Sequence, residues 1–167
     1  NTMLNLLKIF DMTLHEGADS FDGIKKNGPV HVKSLSEFHT FEDLYEQYKK
    51  LLDYYFDISV QAQSYSYEVM NKEVSFLFTS ILMNDCITRK KALLDGGVKI
   101  LGGTNETYGN INTSDALYAI KTLVYEQKKY TLEQLVEAAD HDFAGYEYIL
   151  KDLLDAPKYG NDHTACD

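Results

Sequence analysis

The sequence predicts a mainly α-helical fold with a short β-strand or hairpin near residues 98–111. Two observations predict the helices: apolar residues recur every three or four positions, and helix-capping residues stand where these segments begin. The extended part is predicted because three glycines interrupt a mixture of apolar and polar residues between Val98 and Asn112. We therefore expect the chain, residues 1–167, to form a single partial domain.

The first half of the chain is predicted to contain a short helix, a loop and one long helix. Apolar residues at helical spacing predict the short helix over Leu4–Leu14, before Gly17. Residues 18–37 contain glycines and Pro29 without a period, which predicts a loop. Thr40 is the expected N-cap of the long helix, because three residues that include two carboxylates follow it. The apolar stripe of that helix comprises Leu44, Tyr48, Leu51, Tyr55, Ile58, Ala62, Tyr65 and Val69.

This stripe favours burial of the long helix against the rest of a larger protein. A coiled-coil seam is the alternative, since the intervals alternate between four and three residues. Tyrosine is a poor seam residue, however, and the flanking positions carry no charge code. We therefore expect the helix to pack within a larger protein rather than to self-associate.

The second half is predicted to contain shorter helices. The first runs from Val74 to about Asn84, continues or restarts through Arg89, and ends at the paired glycines 96–97. The capping cluster Asn112–Asp115 predicts the start of the next. The capping box Thr131–Gln134 predicts the start of the next-to-last helix. The last helix is predicted to end before Pro157.

Composition excludes several classes of protein. The formal net charge is −10 and the isoelectric point about 4.9, and the densest basic run is only Arg89-Lys90-Lys91, so we expect no nucleic-acid partner. The apolar stretches are far shorter than the ~18 residues that span a bilayer, so we expect no membrane association and a cytoplasmic protein. The two cysteines, Cys86 and Cys166, form no metal-binding pair or disulfide framework.

Several motifs in a fixed order resemble the pyruvate formate-lyase domain of glycyl radical enzymes. They are Phe38–Leu44 before the long helix, Asn84–Gly97, Gly109–Glu126 and the string Ala156–Asp162 (APKYGND). The resemblance covers nearly the whole chain. Departures at Ile100 and at Ser114–Leu117 concern the subfamily and the substrate rather than the family.

The resemblance implies that the parent enzyme is a ten-stranded α/β barrel that shelters a radical. A partner activating enzyme, which uses S-adenosylmethionine and an iron–sulfur cluster, installs a glycyl radical that draws hydrogen from a cysteine. The thiyl radical then attacks a small-molecule substrate, which is cleaved or eliminates water or another group. The resemblance also implies a homo-oligomer.

Neither the radical glycine nor the radical cysteine of the family, together called the radical carriers, has a counterpart in this sequence. An Arg-Val-Ser-Gly-Tyr-like glycine loop and a Gly-Cys-Val-Glu-like cysteine loop are both absent. We therefore expect an internal fragment from the C-terminal half of a pyruvate formate-lyase-like or dehydratase-type lyase, lying between these loops and inactive alone. The alternative is a stand-alone helical protein-interaction module that binds through the Leu44–Val69 stripe.

We assign no catalytic, cofactor-binding or metal-binding residue to this chain. Cys86 lacks a following glutamate and is expected to be a buried, inert thiol. The tail Asp162–Asp167 offers carboxylate, imidazole and thiol groups without a scaffold. The remaining candidates are expected to be turns, caps or solvated surface; they are the loops Gly102–Glu106 and Gly109–Thr113, the pairs Glu133–Glu137 and Asp152–Asp155, and His15, His31 and His39.

Overall fold

The computed structural model describes residues 2–161 and confirms a mainly helical chain with a short strand near residues 98–111. The strands are β1 (Thr2–Asn5) and β2 (Asn105–Tyr108), which pair in parallel as a two-stranded sheet. The helices are α1 (Leu6–Leu14), α2 (Phe41–Glu73), α3 (Leu77–Leu82), α4 (Cys86–Arg89), α5 (Asn110–Ile120), α6 (Leu132–Asp140) and α7 (Glu147–Asp155), with 3₁₀ turns at Leu35–Glu37 and Leu93–Asp95 and a π-helical segment at Lys121–Glu126.

The chain forms two compact units. The first contains residues 55–106 together with β1 as far as Leu4, and the second contains Asn5–Tyr54 and the residues from Thr107 onward. Helix α2 contributes its first half to the second unit and its second half to the first. The expectation of a single partial domain stays a prediction.

The second unit has an apolar core. Leu44, Leu51 and Ile149 are fully buried, and the rings of Phe10 and Tyr48 meet edge to face with centroids 5.6 Å apart. The ring contact joins α1 to α2, and the buried residues of α1, α2 and α7 have the helical spacing that the sequence shows. The core therefore follows from the periodicity of the helices.

Two predicted helix starts are confirmed by their capping contacts. The Asp43 amide donates to Thr40 Oγ1 at 3.1 Å, and the Thr40 amide donates to the Asp43 carboxylate at 3.0 Å. Thr131 and Gln134 form the reciprocal contacts of a capping box at the start of α6. Each pair satisfies backbone N–H groups that a helix start would otherwise leave without partners.

The predicted stripe of α2 is only half right. Leu44, Tyr48 and Leu51 are buried, whereas Tyr65 is 70% exposed and Ile58 and Val69 are also exposed. In this second half the buried positions are Ser59 and Gln63, because the neighbouring strand and loop offer hydrogen-bonding groups to the helix.

Two other predicted boundaries are wrong. A helix does not begin at Val74, because Ser75 and Phe76 take left-handed backbone angles and α3 starts only at Leu77; Asp85, also left-handed, separates α3 from α4. The helix expected at Asn112–Asp115 begins earlier, at Asn110. Its N-cap is Gly109, so Asp115 lies beyond the first turn and does not cap the helix.

The extended segment is a strand rather than a hairpin. Its partner, β1, occupies residues Thr2–Asn5, part of which the sequence assigned to the first helix. A parallel partner lies far away in sequence, so no local turn signal could reveal it.

Candidate functional site

Each strand of the sheet leads directly into a helix. Asn5 ends β1 and caps α1, since its Oδ1 accepts a hydrogen bond from the Lys8 amide at 3.2 Å. Gly109 follows β2 and begins α5 with φ of +73°. Asn5 and Gly109 therefore lie at or just after the carboxyl ends of the two paired strands, where α1 and α5 begin.

Gly109 allows the start of α5 to approach the start of α1. A Cβ atom at this position would lie 2.9 Å from Leu7 Cβ and 3.1 Å from Asn5 Oδ1. We predict that Gly109→Ala lowers the free energy of unfolding by about 2–3 kcal/mol, from left-handed strain and steric overlap together. Urea unfolding measures it.

The matched control is Gly23→Ala, because Gly23 has φ of +70° but nothing within 4 Å of its added methyl group. This substitution should lower the free energy of unfolding by only about 1 kcal/mol, from backbone strain. Equal decreases in the free energy of unfolding of the two variants would show that close packing of the helix starts does not contribute to stability.

A cleft of about 460 Å³ opens beside α1, α5 and α6 in the second unit. Its floor is apolar and includes Phe10, Ile120 and Leu135. Its rim is polar and holds Asn5, Lys8, Asp11, His15, Ser20 and Asp140. An apolar floor with a few polar groups is the usual character of a small-molecule site.

His15 joins two helices across this rim. Its Nε2 lies 3.0 Å from Asp140 Oδ1 on α6, and its Nδ1 lies 2.8 Å from the Asp11 carbonyl oxygen and 3.2 Å from Asp11 Oδ1. Hydrogen bonding to Asp11 is the main cause that raises the pKa of His15 to about 9, against the opposing effect of burial. His15 is therefore charged at neutral pH and both ring nitrogens are engaged, which suits a positioning role rather than that of a general base.

Asp11 is held as a carboxylate by its neighbours. Burial alone would raise the pKa of Asp11, but hydrogen bonds from His15, Lys8 and Ser20 outweigh it and hold that pKa well below its usual range. Lys8 Nζ also lies 2.7 Å from Asp19 Oδ1, which joins α1 to the loop that follows it. The rim is thus a network of paired charges.

The His15 contacts predict a pH-dependent stability. The folded pKa of about 9 lies above the usual value near 6.5, so protonated His15 stabilises the fold fully below pH 6.5 and loses this contribution as the pH rises through 9. We expect the free energy of unfolding to fall by about 1–2 kcal/mol between pH 6.5 and 9.5, after allowance for partial exposure. Urea unfolding across this range measures the change.

His15→Gln should remove most of this pH dependence. His31→Gln, at an exposed position, is the control and should leave it intact. A wild-type profile that is flat between pH 6.5 and 9.5 would contradict the assigned contacts.

Sequence spacing alone could predict only some of the contacts at this rim. Asp11 and His15 are four residues apart on one helix, which is a recognisable pair, whereas Asp140 is 125 residues from His15. The sequence singled out His15 but neither carboxylate. The structure places His31 and His39 on exposed parts of the chain, away from this network.

Cys86 is buried, as predicted. Only 3% of the residue is exposed, at the first turn of α4, and it forms no disulfide. Gly97 packs against it, since a Cβ atom on Gly97 would lie 2.8 Å from Cys86 Sγ. Among residues 2–161, no three His, Cys, Asp or Glu side chains converge as a metal site.

The acidic pairs differ in their surroundings. Glu133, Glu137 and Asp155 are exposed, as expected for a solvated surface. Asp152 is instead half-buried, where it lies 2.5 Å from Lys129 Nζ and accepts a hydrogen bond from the Tyr130 hydroxyl. The tail Asp162–Asp167 lies outside the described residues.

Neither glycine loop is a separate turn in the structure: residues 102–104 lead into β2, which contains Asn105 and Glu106, and the Gly109–Thr113 stretch is the N-cap and first turn of α5. Gly103 lies against Gln63, Gly109 caps α5, and the Thr113 hydroxyl donates to the Gly109 carbonyl oxygen at 2.7 Å. Within the part of the chain that the structure describes, no helix is both long and apolar enough to cross a membrane.

Two of the motifs that resemble the pyruvate formate-lyase domain, Gly109–Glu126 and the Ala156–Asp162 string, contact each other in the second unit. Asp115 Oδ1 accepts a hydrogen bond from the Tyr159 amide at 2.8 Å, which joins the α5 motif to the Ala156–Asp162 string. Lys158 Nζ donates to the carbonyl oxygens of Leu153 and Ala156, each at 2.6 Å, and so caps the end of α7. Residues far apart in sequence therefore hold one another in place.

Comparison with known proteins identifies the family. The pyruvate formate lyase-like family model matches residues 1–167. The chain is 32% identical over 165 residues to trans-4-hydroxy-L-proline dehydratase of Clostridioides difficile, covering 98% of this chain and 21% of that protein. It is 26% identical over 183 residues to the 4-hydroxyphenylacetate decarboxylase glycyl radical subunit of C. difficile, covering 96% of this chain and 20% of that protein.

The fold agrees with this assignment. The glycerol-bound form of the B12-independent glycerol dehydratase from Clostridium butyricum matches with a TM-score of 0.90 and 26% identity, over 98% of this chain and 20% of that one. The chain spans about a fifth of the length of the curated relatives it matches. It belongs to the pyruvate formate lyase-like family, and its relatives are glycyl radical enzymes.

Proposed function

We propose that this chain is a structural part of a glycyl radical dehydratase that eliminates water from a small hydroxylated molecule. The observation that carries the proposal is the match of the whole chain to relatives named as dehydratases of hydroxyproline and glycerol, with the fold kept at a TM-score of 0.90. Elimination of another group is the nearest alternative, because a decarboxylase subunit matches over the same region.

The chain's own residues serve this function as scaffold. The short strands lead into α1 and α5, the caps at Asn5 and Gly109 set where these helices begin, and Asp115 accepts a hydrogen bond from the Tyr159 amide. When present, the glycyl radical would generate a thiyl radical that draws hydrogen from the substrate. We assign both radical carriers to parts of the protein outside residues 1–167.

We propose that the iron–sulfur cluster and S-adenosylmethionine belong to a separate activating enzyme. The described residues do not fit such a cluster, since Cys86 is buried and belongs to no group of three metal-ligating side chains among them. The whole protein is proposed to be a homo-oligomer, which light scattering on the full-length protein would test.

A stand-alone interaction module is less well supported. That alternative needs the Leu44–Val69 stripe as a free binding surface, but Leu44, Tyr48 and Leu51 lie in the core of the second unit. The family match also extends over the complete sequence rather than over one helix.

The test uses the full-length gene product that contains residues 1–167. It is incubated anaerobically with an activating enzyme, S-adenosylmethionine and a reductant, and examined by electron paramagnetic resonance. We expect a glycyl radical signal, and then consumption of a compound from a panel that includes trans-4-hydroxy-L-proline and glycerol, with loss of water. The 167-residue chain should give no signal under the same conditions.

The hydroxyproline dehydratase of C. difficile, activated in parallel, is the positive control. Absence of a radical signal from the full-length protein, when the control shows one, would refute the proposal. A radical with release of carbon dioxide instead of water would keep the radical chemistry and replace the dehydratase assignment.

A further inference from the structure

The loop after α1 contains a chemically reactive pair of residues. Among the asparagines of the sequence, Asn27 alone precedes a glycine. Glycine has no Cβ to shield its backbone nitrogen, so this nitrogen can reach the side-chain amide of a preceding asparagine. In an unfolded chain, Asn27 is therefore the asparagine that loses its side-chain amide most readily.

The reaction is an internal displacement that uses only water. The Gly28 nitrogen bonds to Asn27 Cγ, the bond from Cγ to Nδ2 breaks, and Nδ2 leaves as ammonia with the proton of the Gly28 amide. Water then opens the five-membered imide at one of its two carbonyl carbons. The product is aspartate or isoaspartate, in which the main chain runs through Cβ and Cγ. Either product has a carboxylate where asparagine has an amide.

The folded loop restrains the Asn27 side chain. Asn27 Nδ2 donates a hydrogen bond to the Val30 carbonyl oxygen, and the Val30 amide donates to the Asn27 carbonyl oxygen at 3.0 Å. Gly17 packs against this side chain, since a Cβ atom on Gly17 would lie 2.6 Å from both Cβ and Cγ of Asn27. Nδ2 can therefore leave only after its hydrogen bond across the turn is broken.

The backbone on both sides of Asn27 is restrained as well. Gly28 has φ of +54° and packs against the Tyr54 side chain of α2, where an added Cβ atom would overlap the hydroxyl group. Before Asn27, the Lys26 amide donates to the Gly17 carbonyl oxygen at 2.8 Å. Closure of the imide ring rotates the peptide group between Asn27 and Gly28, so it requires the loop to open locally.

We propose that Asn27-Gly28 is a deamidation site that the folded loop protects and that local opening of the loop exposes. The modification prevents the native contacts from forming again. A carboxylate at position 27 cannot donate to the Val30 carbonyl oxygen, and isoaspartate adds one atom to the main chain of a closed turn. The site thus converts a transient opening of the loop into a permanent covalent change. This inference is independent of the proposed function.

The test follows the product by mass spectrometry of the full-length protein. Trypsin cuts after Lys26 and Lys33, so Asn27 is measured in a short peptide that contains no other asparagine or aspartate. Digestion in water enriched in heavy oxygen separates deamidation before digestion from deamidation during it. We expect the wild-type protein in buffer to react at about one tenth or less of its rate in guanidinium chloride, at the same pH and temperature.

Gly17→Ala tests the local protection. Its methyl group would displace the Asn27 side chain, so deamidation in buffer should become about fivefold faster or more. Gly23→Ala is the matched control, because Gly23 lies in the same loop with φ of +70° and nothing within 4 Å of its added methyl group. Its rate at Asn27 should stay within about twofold of the wild-type rate. Circular dichroism verifies that both variants are folded.

Equal wild-type rates in buffer and in guanidinium chloride would overturn the proposed protection. A folded Gly17→Ala variant that reacts no faster than Gly23→Ala would overturn it as well. If Gly17→Ala does not fold, the wild-type comparison decides alone.

Asn27→Asp tests whether the change is permanent, because it carries the carboxylate of the product. Hydrogen exchange of the amides of Lys26 and Val30 should be about tenfold faster in this variant than in the wild type, since the loop stays open for more of the time. Unchanged exchange would show that the loop closes again after deamidation and would overturn this part of the inference.

Discussion

Ile149→Ala should lower the free energy of unfolding by about 3–4 kcal/mol, the range for removing a large aliphatic side chain from a core. Ile149 is fully buried in the second unit, at the inner side of α7. The substitution removes its apolar contacts and leaves a cavity that the neighbouring helices fill only in part. Urea unfolding followed by circular dichroism measures the change.

Leu154→Ala is the control on the same helix. Leu154 is 66% exposed, and its truncation should change the free energy of unfolding by less than about 0.5 kcal/mol. Both variants keep the intrinsic helix preference of α7, since alanine is the best helix former. Similar losses at the two positions would mean that α7 is not packed through the side that contains Ile149.

Gly97→Ala is expected to lower the free energy of unfolding by about 3 kcal/mol or more. Its Cβ atom would lie 2.3 Å from the Lys91 carbonyl oxygen, 2.6 Å from the Ala92 carbonyl oxygen and 2.8 Å from Cys86 Sγ. Two of these atoms belong to the backbone, so relief requires movement of the chain between α4 and the following 3₁₀ turn. Thermal unfolding of the full chain measures the loss.

Cys86 provides a second, local measurement of this variant. Its thiol is buried in the wild type, so displacement of Gly97 should increase its rate of reaction with a thiol reagent, measured in a Cys166→Ser background. Gly102→Ala is the control, because nothing lies within 4 Å of its added methyl group. Unchanged stability and thiol reactivity in Gly97→Ala would contradict the packing around Cys86.

Local signals predicted the helices well where side chains interact with nearby backbone. The Thr40 and Thr131 caps and the stop before Pro157 depend on residues within four positions of one another, and the structure confirms all three. The error at Asn112–Asp115 also has a local cause. Several good capping residues stood in a row, but Gly109 in a left-handed conformation had already begun the helix.

Long-range relations could not be predicted in the same way. The parallel partner of β2 lies about a hundred residues earlier, and Asp140 meets His15 across a similar separation. Periodicity assigned Ile58, Tyr65 and Val69 to a buried stripe because it assumes that apolar residues face inward. In the first unit the internal partners of α2 are polar, and the helix presents Ser59 and Gln63 to them.

The polar contacts of α2 have a consequence for the uniqueness of the fold. The Ser59 hydroxyl donates to Asn105 Oδ1 at 2.9 Å and lies 2.6 Å from Thr2 Oγ1, and Gln63 Nε2 lies 3.4 Å from the Thr104 carbonyl oxygen. Apolar contacts are not directional and could form again after a helix shifts. A shift of α2 by one turn, about 5.4 Å, would separate all of these hydrogen-bonding partners. Each buried polar group left without a hydrogen bond would cost roughly 1–3 kcal/mol of folding free energy. These polar contacts therefore favour a single alignment of α2 with the strand and loop over alignments shifted by one turn.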